Sequence, residues 1–457
     1  KPLSTIMKDS SLYEQAVYCV ANCYNAPMPD DRLATLSVLA LNQSGSELTL
    51  IQQINLPDGT LMPISQAINS DGTRLFTAAG IHGIACYELD PMDRGKVTGS
   101  AVCSAVTEEP LATPYGVMPV DICLDKREEN LFVCNFLSGT VSAMSVDRES
   151  RSLGQPRVCE LKHAGIPEKV RLLGPSEAAK ELNFPEGFPE DASHPHGVAC
   201  HPDGQWLVVC DLGTSCLSVF SLPVGNSFHS GEPEFVLPSH CAPASNRHYG
   251  AGTRQIRFSP DGRFLFSVNE LDHTVSSYSF DVCSGELKPV GAPQMTVPQD
   301  WLDNIPPRPY MYNAQPNYNA GIAISPDGRH LYSSGRGHDT VAGFSVGHDG
   351  SLTPTRQWLV PSGGRTPWAI AFLNDEYLLV TNQNADDPAA REPGGPDSNP
   401  ERIAPLGKEP GNLIVMRRNR EDGSLRPSGA VWNAPHVISV DVAPPLLGSL
   451  SPTIDAT

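Results

Sequence analysis

The stretch Gly321-Ile-Ala-Ile-Ser-Pro-Asp-Gly-Arg-His-Leu-Tyr-Ser-Ser-Gly-Arg336 is an apolar run, a Pro-Asp-Gly turn and a second apolar run. Proline presets φ and glycine accepts φ > 0, so the two runs fold back on each other as a hairpin. Two further segments repeat it: His196-Gly-Val-Ala-Cys-His-Pro-Asp-Gly-Gln-Trp-Leu-Val-Val-Cys-Asp211 and Arg254-Gln-Ile-Arg-Phe-Ser-Pro-Asp-Gly-Arg-Phe-Leu-Phe-Ser-Val-Asn-Glu270. A third run follows each, at Val341–Phe344, Leu217–Phe220 and Val275–Tyr278, and a fourth comes after a glycine-containing turn. Working outward, weaker copies begin at Ala67, Val120 and Trp368, which makes six units. Ala16–Val20 and Thr35–Ala40 supply part of a seventh, and Val437–Val442 supplies its missing strand. Four antiparallel strands in a repeat of about 50 residues is a propeller blade. The sequence therefore predicts an all-β fold, with residues 1–457 forming a single seven-bladed β-propeller domain. The ring is closed by the N- and C-terminal strands, which removes the exposed edges of a linear array.

Composition agrees and narrows the function. The chain has 457 residues with 43 Pro and 39 Gly, the balance of a turn-dense globular protein. Only 18% of residues are charged, which argues against coiled coils and long solvated helices. The net charge of −19 opposes a broad nucleic-acid surface, because phosphate binding needs a basic field. Anionic membranes are poor partners for the same reason. A small anionic metabolite fits if a few arginines converge in one pocket. Apolar runs are too short for a membrane-spanning helix, and the first twenty residues lack the apolar stretch of a signal peptide. The 12 cysteines form no CxxC pair, and several lie inside strand-like runs. Reduced thiols in a cytoplasmic protein are the expectation, and the lone sequon Asn42-Gln43-Ser44 is read as chance.

Hairpin symmetry places the functional face. The start of strand one and the end of strand two lie at the same end of each blade. Counted from the turn Asp, position −7 is His196, Arg254 and Ala320; position +9 is Leu212, Glu270 and Arg336. His196, Arg254, Glu270 and Arg336 are thus expected to converge on one funnel. Long loops at about 160–193, 299–319 (with Trp301, Tyr310, Tyr312 and Tyr318) and 385–411 attach at that same end. Two Arg, one His and one Glu form an anion-handling acid/base site. Arginine clamps carboxylate or phosphate, and histidine moves a proton near neutral pH. The plainer readings stand beside this one. Arg254 and Glu270 also suit a simple ion pair at a blade end. His273 and His338 are read as structural, and the turn Asp residues as turn formers. Asp211, Glu270, Asn135 and Asn382 are an alternative set of oxygen donors for calcium, but no metal and no cofactor are assigned. No glycine-rich phosphate loop leading into a helix and no HExxH motif is present.

The motifs His194-Pro-His-Gly197, Gly252-Thr-Arg254, Ser259-Pro-Asp-Gly-Arg263, Asn269-Glu-Leu271, Gly335-Arg-Gly-His-Asp339 and Thr381-Asn-Gln-Asn384 resemble the β-propeller lactonase family. That family includes propeller-type 6-phosphogluconolactonases and fungal carboxy-cis,cis-muconate cyclases. The resemblance is strongest over about 194–440. It implies His196, Arg254, Glu270 and Arg336 as catalytic residues, with Arg254, Arg336, Asn382 and His194 binding substrate. The chain departs from the family pattern at Gln255 and Gly335. The expected activity is a cofactor-independent lactonase opening a sugar-derived lactone such as 6-phosphogluconolactone. The alternatives are a muconate-type cycloisomerase and a non-catalytic propeller that binds a ligand or protein.

Overall fold

The computed structural model describes residues 15–21, 34–42, 44–56, 64–79, 83–105, 118–147, 152–161, 193–222, 235–238, 251–304, 317–385 and 410–442. They form seven antiparallel sheets arranged as a ring. Blade one joins Gln15–Ala21, Thr35–Leu41 and Leu48–Asn55 to the C-terminal strand Ser439–Val442, which lies innermost. The other blades each run from the inner edge outward in chain order. Their inner strands are Gln66–Ile68 in blade two, Pro119–Leu124 in three, Pro195–Cys200 in four, Thr253–Phe258 in five, Tyr318–Ile324 in six and Gly364–Phe372 in seven. Each inner strand packs on the next, and Ser439–Val442 packs on both Gln66–Ile68 and Gly364–Phe372, so the ring closes. Closure is by register: Val17 pairs with Val442 and Val20 with Ser439. The first and last described strands therefore share one blade, as the repeat count predicts.

The Ser-Pro-Asp-Gly turns show why the repeat is written as it is. In blade five the Ser259 hydroxyl donates to Asp261 Oδ1 at 2.7 Å and accepts from Phe264 N at 3.0 Å. Asp261 Oδ1 also accepts from Arg263 N at 3.1 Å. Gly262 has φ +74°, and a Cβ there would lie 2.5 Å from His201 Nε2 of blade four. The glycine thus serves both the left-handed turn and the packing of one blade's turn on its neighbour. Ser325 and Asp327 repeat the arrangement in blade six.

The core lies between blades. Middle strands such as Trp206–Asp211 and Phe264–Asn269 are buried on both faces, because a sheet packs on either side. Hence they read as continuous apolar runs rather than alternating ones. Among the described residues no helix is long and apolar enough to cross a membrane. The three long inserts fall largely outside the described residues, at 162–192, 305–316 and 386–409, with Tyr310 and Tyr312 among them. Of the middle insert, Gln299–Asn304 forms a short helix.

Candidate active site

Five inner strands share one irregularity. The pairing of strand one with strand two slips at Pro119/Asp121, Pro195/Gly197, Thr253/Gln255, Asn319/Ile322 and Pro367/Ile370. Each slip is a β-bulge, which leaves an extra residue out of the ladder and re-aims its side chain. The residues in those bulges include Val120, His196, Arg254, Ala320 and Trp368. Hairpin symmetry placed His196, Arg254 and Ala320 at equivalent positions; the bulge is the local device. Gly197 follows His196 for a steric reason. A Cβ at Gly197 would lie 2.7 Å from both Arg254 O and Cys210 Sγ. Glycine lets the inner strand of blade five approach, which sets Arg254 beside His196.

The geometry brings the predicted quartet together. Arg254 Nε lies 2.8 Å from Glu270 Oε2, and Arg336 Nη2 lies 3.0 Å from Glu270 Oε1. One carboxylate therefore joins two guanidinium groups, and all three side chains are buried. Backbone carbonyls complete the hold: Arg254 Nη1 donates to Ala320 O at 3.0 Å, and Arg336 Nε to Tyr318 O at 3.4 Å. Burial and the neighbouring Arg254 guanidinium hold the His196 imidazole well below its ordinary pKa, with Arg336 and His194 adding to the effect. His196 is thus a neutral ring at neutral pH. Both oxygens of Glu270 face guanidinium groups, so its carboxylate organises the arginines.

The two histidines of His194-Pro-His196 part company. His194 is fully buried, its ring stacks on Phe136 at 4.7 Å, and its Nδ1 lies 2.8 Å from Phe136 O. Its backbone N–H donates to Asp211 Oδ1 at 2.8 Å. His196 meets the Phe136 ring edge-on at 5.6 Å and lies beside the arginines. Asn382 is also fully buried, and its amide donates to Asn412 Oδ1 at 2.8 Å and Ser362 O at 3.1 Å. Its amide nitrogen ties strands of blade seven together, and its Oδ1 is buried with no hydrogen-bond partner. Of the alternative oxygen donors, Asp211 accepts from Ser193, His194 and Thr214, while the Asn135 amide nitrogen donates to Ser142 and Thr140 and its Oδ1 is buried with no hydrogen-bond partner. Among the described residues no three His, Cys, Asp or Glu side chains gather as a metal site. His338 bonds Thr340 Oγ1 at 2.8 Å and meets Trp301 edge-on, while His273 sits in a turn at φ +61°.

Trp368 was not singled out from the sequence. Its ring lies 4.5 Å from the Arg336 guanidinium carbon and 5.6 Å from that of Arg254. Stacking on an indole face favours a cation, and more so away from water. The indole is only 7% exposed, and its Nε1–H has no hydrogen-bond partner in the structure. A signal existed. Trp368 stands seven residues before Asp375 in the weak seventh-blade copy, the offset of His196 from Asp203. Phe136 closes the second strand of blade three, where Glu270 and Arg336 stand in blades five and six. The degenerate turn of blade three hides that alignment.

Comparison with known proteins supports the same picture. The family model described as "Lactonase, 7-bladed beta-propeller" matches residues 23–390. A 6-phosphogluconolactonase of Bacillus subtilis is 25% identical over 382 residues, covering 83% of this chain and 86% of that protein. The solved structure of a periplasmic gluconolactonase from Pseudomonas aeruginosa superposes with a TM-score of 0.65 at 18% identity, covering 93% of this chain and 99% of the other. A Lactobacillus plantarum protein superposes at 0.64 with 20% identity, covering 94% and 99%. With the fold, the closed ring and this match over most of its length, the chain belongs to the family of seven-bladed β-propeller lactonases.

Proposed function

We propose that the protein is a cofactor-independent lactonase that hydrolyses a sugar-derived lactone bearing an anionic substituent, with 6-phosphogluconolactone the first candidate. The observation that carries this reading is the buried Arg254–Glu270–Arg336 cluster beside a neutral His196. Two guanidinium groups against one carboxylate leave positive charge in excess. Away from water that excess favours an anion and a developing oxyanion. The family match and the Bacillus subtilis relative support the reaction class.

In this reading His196 takes a proton from water as the oxygen attacks the lactone carbonyl carbon. The carbonyl oxygen becomes an oxyanion that Arg254 and Arg336 stabilise. The tetrahedral intermediate collapses, the ring C–O bond breaks, and His196 returns the proton to the leaving ring oxygen. The lowered basicity of the buried imidazole helps that return. The product is an open-chain hydroxy acid that ionises and releases one proton. Glu270 fixes both guanidinium planes rather than shuttling protons. Trp368 backs the arginines and leaves its N–H for a substrate oxygen.

Proton release on fresh 6-phosphogluconolactone, above the spontaneous rate, tests the reading with Arg336→Ala alongside. Wild-type acceleration lost by about 100-fold or more in the variant is the expected result. No acceleration by the wild type rejects this substrate.

A further inference from the structure

The interface between blades three and four holds two thiols in contact. Cys123 Sγ and Cys200 Sγ lie 3.6 Å apart, and both side chains are partly exposed. The fold sets this contact. Cys123 pairs with Phe132, which packs toward blade four, and Cys200 pairs with Leu207, which packs toward blade three. Two residues earlier on the same strands, Asp121 Oδ2 accepts from Val198 N at 3.0 Å. Asp121 also accepts from the Ser65 hydroxyl of blade two at 2.7 Å, so it is anchored from both sides. Strand side chains alternate, so a lock between 121 and 198 brings 123 and 200 together. Cys200 lies four residues beyond His196, about 13 Å along the strand. The thiols are therefore away from the candidate active site.

We propose that Cys123 and Cys200 are a redox modification site, closing to an inter-blade disulfide when a peroxide-class oxidant reaches them. One of the two sulfurs, as its thiolate, attacks a peroxide oxygen, the O–O bond breaks, and the departing oxygen takes protons to leave as water. That cysteine is then a sulfenic acid. The other sulfur attacks it, the S–O bond breaks, a second water leaves and the S–S bond forms. Two thiols lose two electrons in all, and one peroxide is reduced to two waters. The hydrogen bond with Cys123 and burial raise the Cys200 thiol well above its ordinary pKa, and Asp125 adds to this. Either sulfur of the touching pair can make the first attack. Closing the contact to a bond takes a sulfur movement of about 1.5 Å. Blades three and four contribute Phe136 and His196, so the cross-link staples the two blades that form one wall of the site.

The test uses the full chain, purified under reductant and then exposed to a small excess of hydrogen peroxide. Non-reducing digestion and mass spectrometry are expected to find the Cys123 and Cys200 peptides joined, lighter by two hydrogens and separated again by dithiothreitol. The oxidised protein is expected to unfold at a higher temperature, because the bond closes a long loop in the unfolded chain. Cys123→Ser and Cys200→Ser should each abolish both changes while leaving basal turnover as it was. The proposal is overturned if both thiols remain alkylatable while exposed Cys103 or Cys283 oxidise. It is also overturned if Cys123 passes to sulfinic acid without cross-linking, or if the stability gain persists in Cys200→Ser. Differential alkylation of the wild type decides the matter even where a serine variant folds poorly.

Discussion

Replacing Glu270 by Gln removes one charge and keeps the shape. The carboxylate is 4% exposed at its side chain and touches Arg254, 3% exposed, at 2.8 Å. It also touches Arg336, 11% exposed, at 3.0 Å. Breaking a buried ion pair by removing one partner costs about 3–5 kcal/mol, because the remaining charge stays buried and uncompensated. Here two guanidinium groups are left facing each other. Ala320 O and Tyr318 O still accept from them, and Trp368 still stacks on both, so the loss is placed at about 3 kcal/mol. The assay is urea unfolding followed by tryptophan fluorescence, at low and at high salt. A burial-driven loss persists in salt, since buried pairs are screened much less than exposed ones. Glu286→Gln is the control. Its pair with Lys288 has the same 2.8 Å separation but side chains 49% and 67% exposed, and its midpoint should not move. The double variant Glu270→Gln/Arg336→Ala should recover part of the loss by removing one stranded charge. Equal, small shifts for Glu270→Gln and Glu286→Gln would refute the reasoning, because the arginines would then be solvated.

Four further outcomes are expected. His196→Gln should lower kcat by about 100-fold or more. Wild-type kcat/KM should stay level as pH falls through 6.5, the ordinary histidine value, because the ring's pKa is lowered and its neutral form persists below that pH; a half-loss at 6.5 would contradict this. Trp368→Phe keeps an aromatic face for the guanidinium groups and removes a buried N–H that has no partner. It should fold at least as stably as wild type yet lose about tenfold in kcat/KM, whereas unchanged turnover would show that the N–H does not meet substrate. Burial pushes the Asp441 carboxyl, in the ring-closing strand, up to about 7; Asp121 adds to this, while Val442 N–H, Arg257 and the Ile68 backbone oppose it. A raised carboxyl pKa means the folded state holds its proton longer, so stability falls as pH rises from about 4 to about 7. Asp441→Asn should therefore gain about 2 kcal/mol at pH 8 and flatten the pH profile of unfolding, and a destabilised variant at pH 8 would overturn the sign.

The blade pattern was legible because it is local. Pro-Asp-Gly between two apolar runs favours a tight turn, and apolar runs of strand length require burial. Hairpin symmetry then carries His196, Arg254, Glu270 and Arg336 to one end without any knowledge of the ring. Trp368 was missed because the turn of its blade lacks Pro and Gly, so its register was not counted. A bulge decides which of the His194 and His196 rings turns toward the arginines, and a bulge depends on the partner strand. Pairing within blade seven uses the amide nitrogen of Asn382 and leaves its Oδ1 buried without a partner, a division that only the tertiary structure sets.

Local chain chemistry by itself determined the repeat, the closure of the ring from both termini and the end of each blade where charged residues gather. Only the tertiary structure decided that Glu270 is shared by two arginines, that Trp368 backs them, and that Cys123 meets Cys200. Turns and strands are set by neighbours in sequence. Contacts between blades are set by the approach of inner strands, which closure of the ring enforces between residues far apart in the chain.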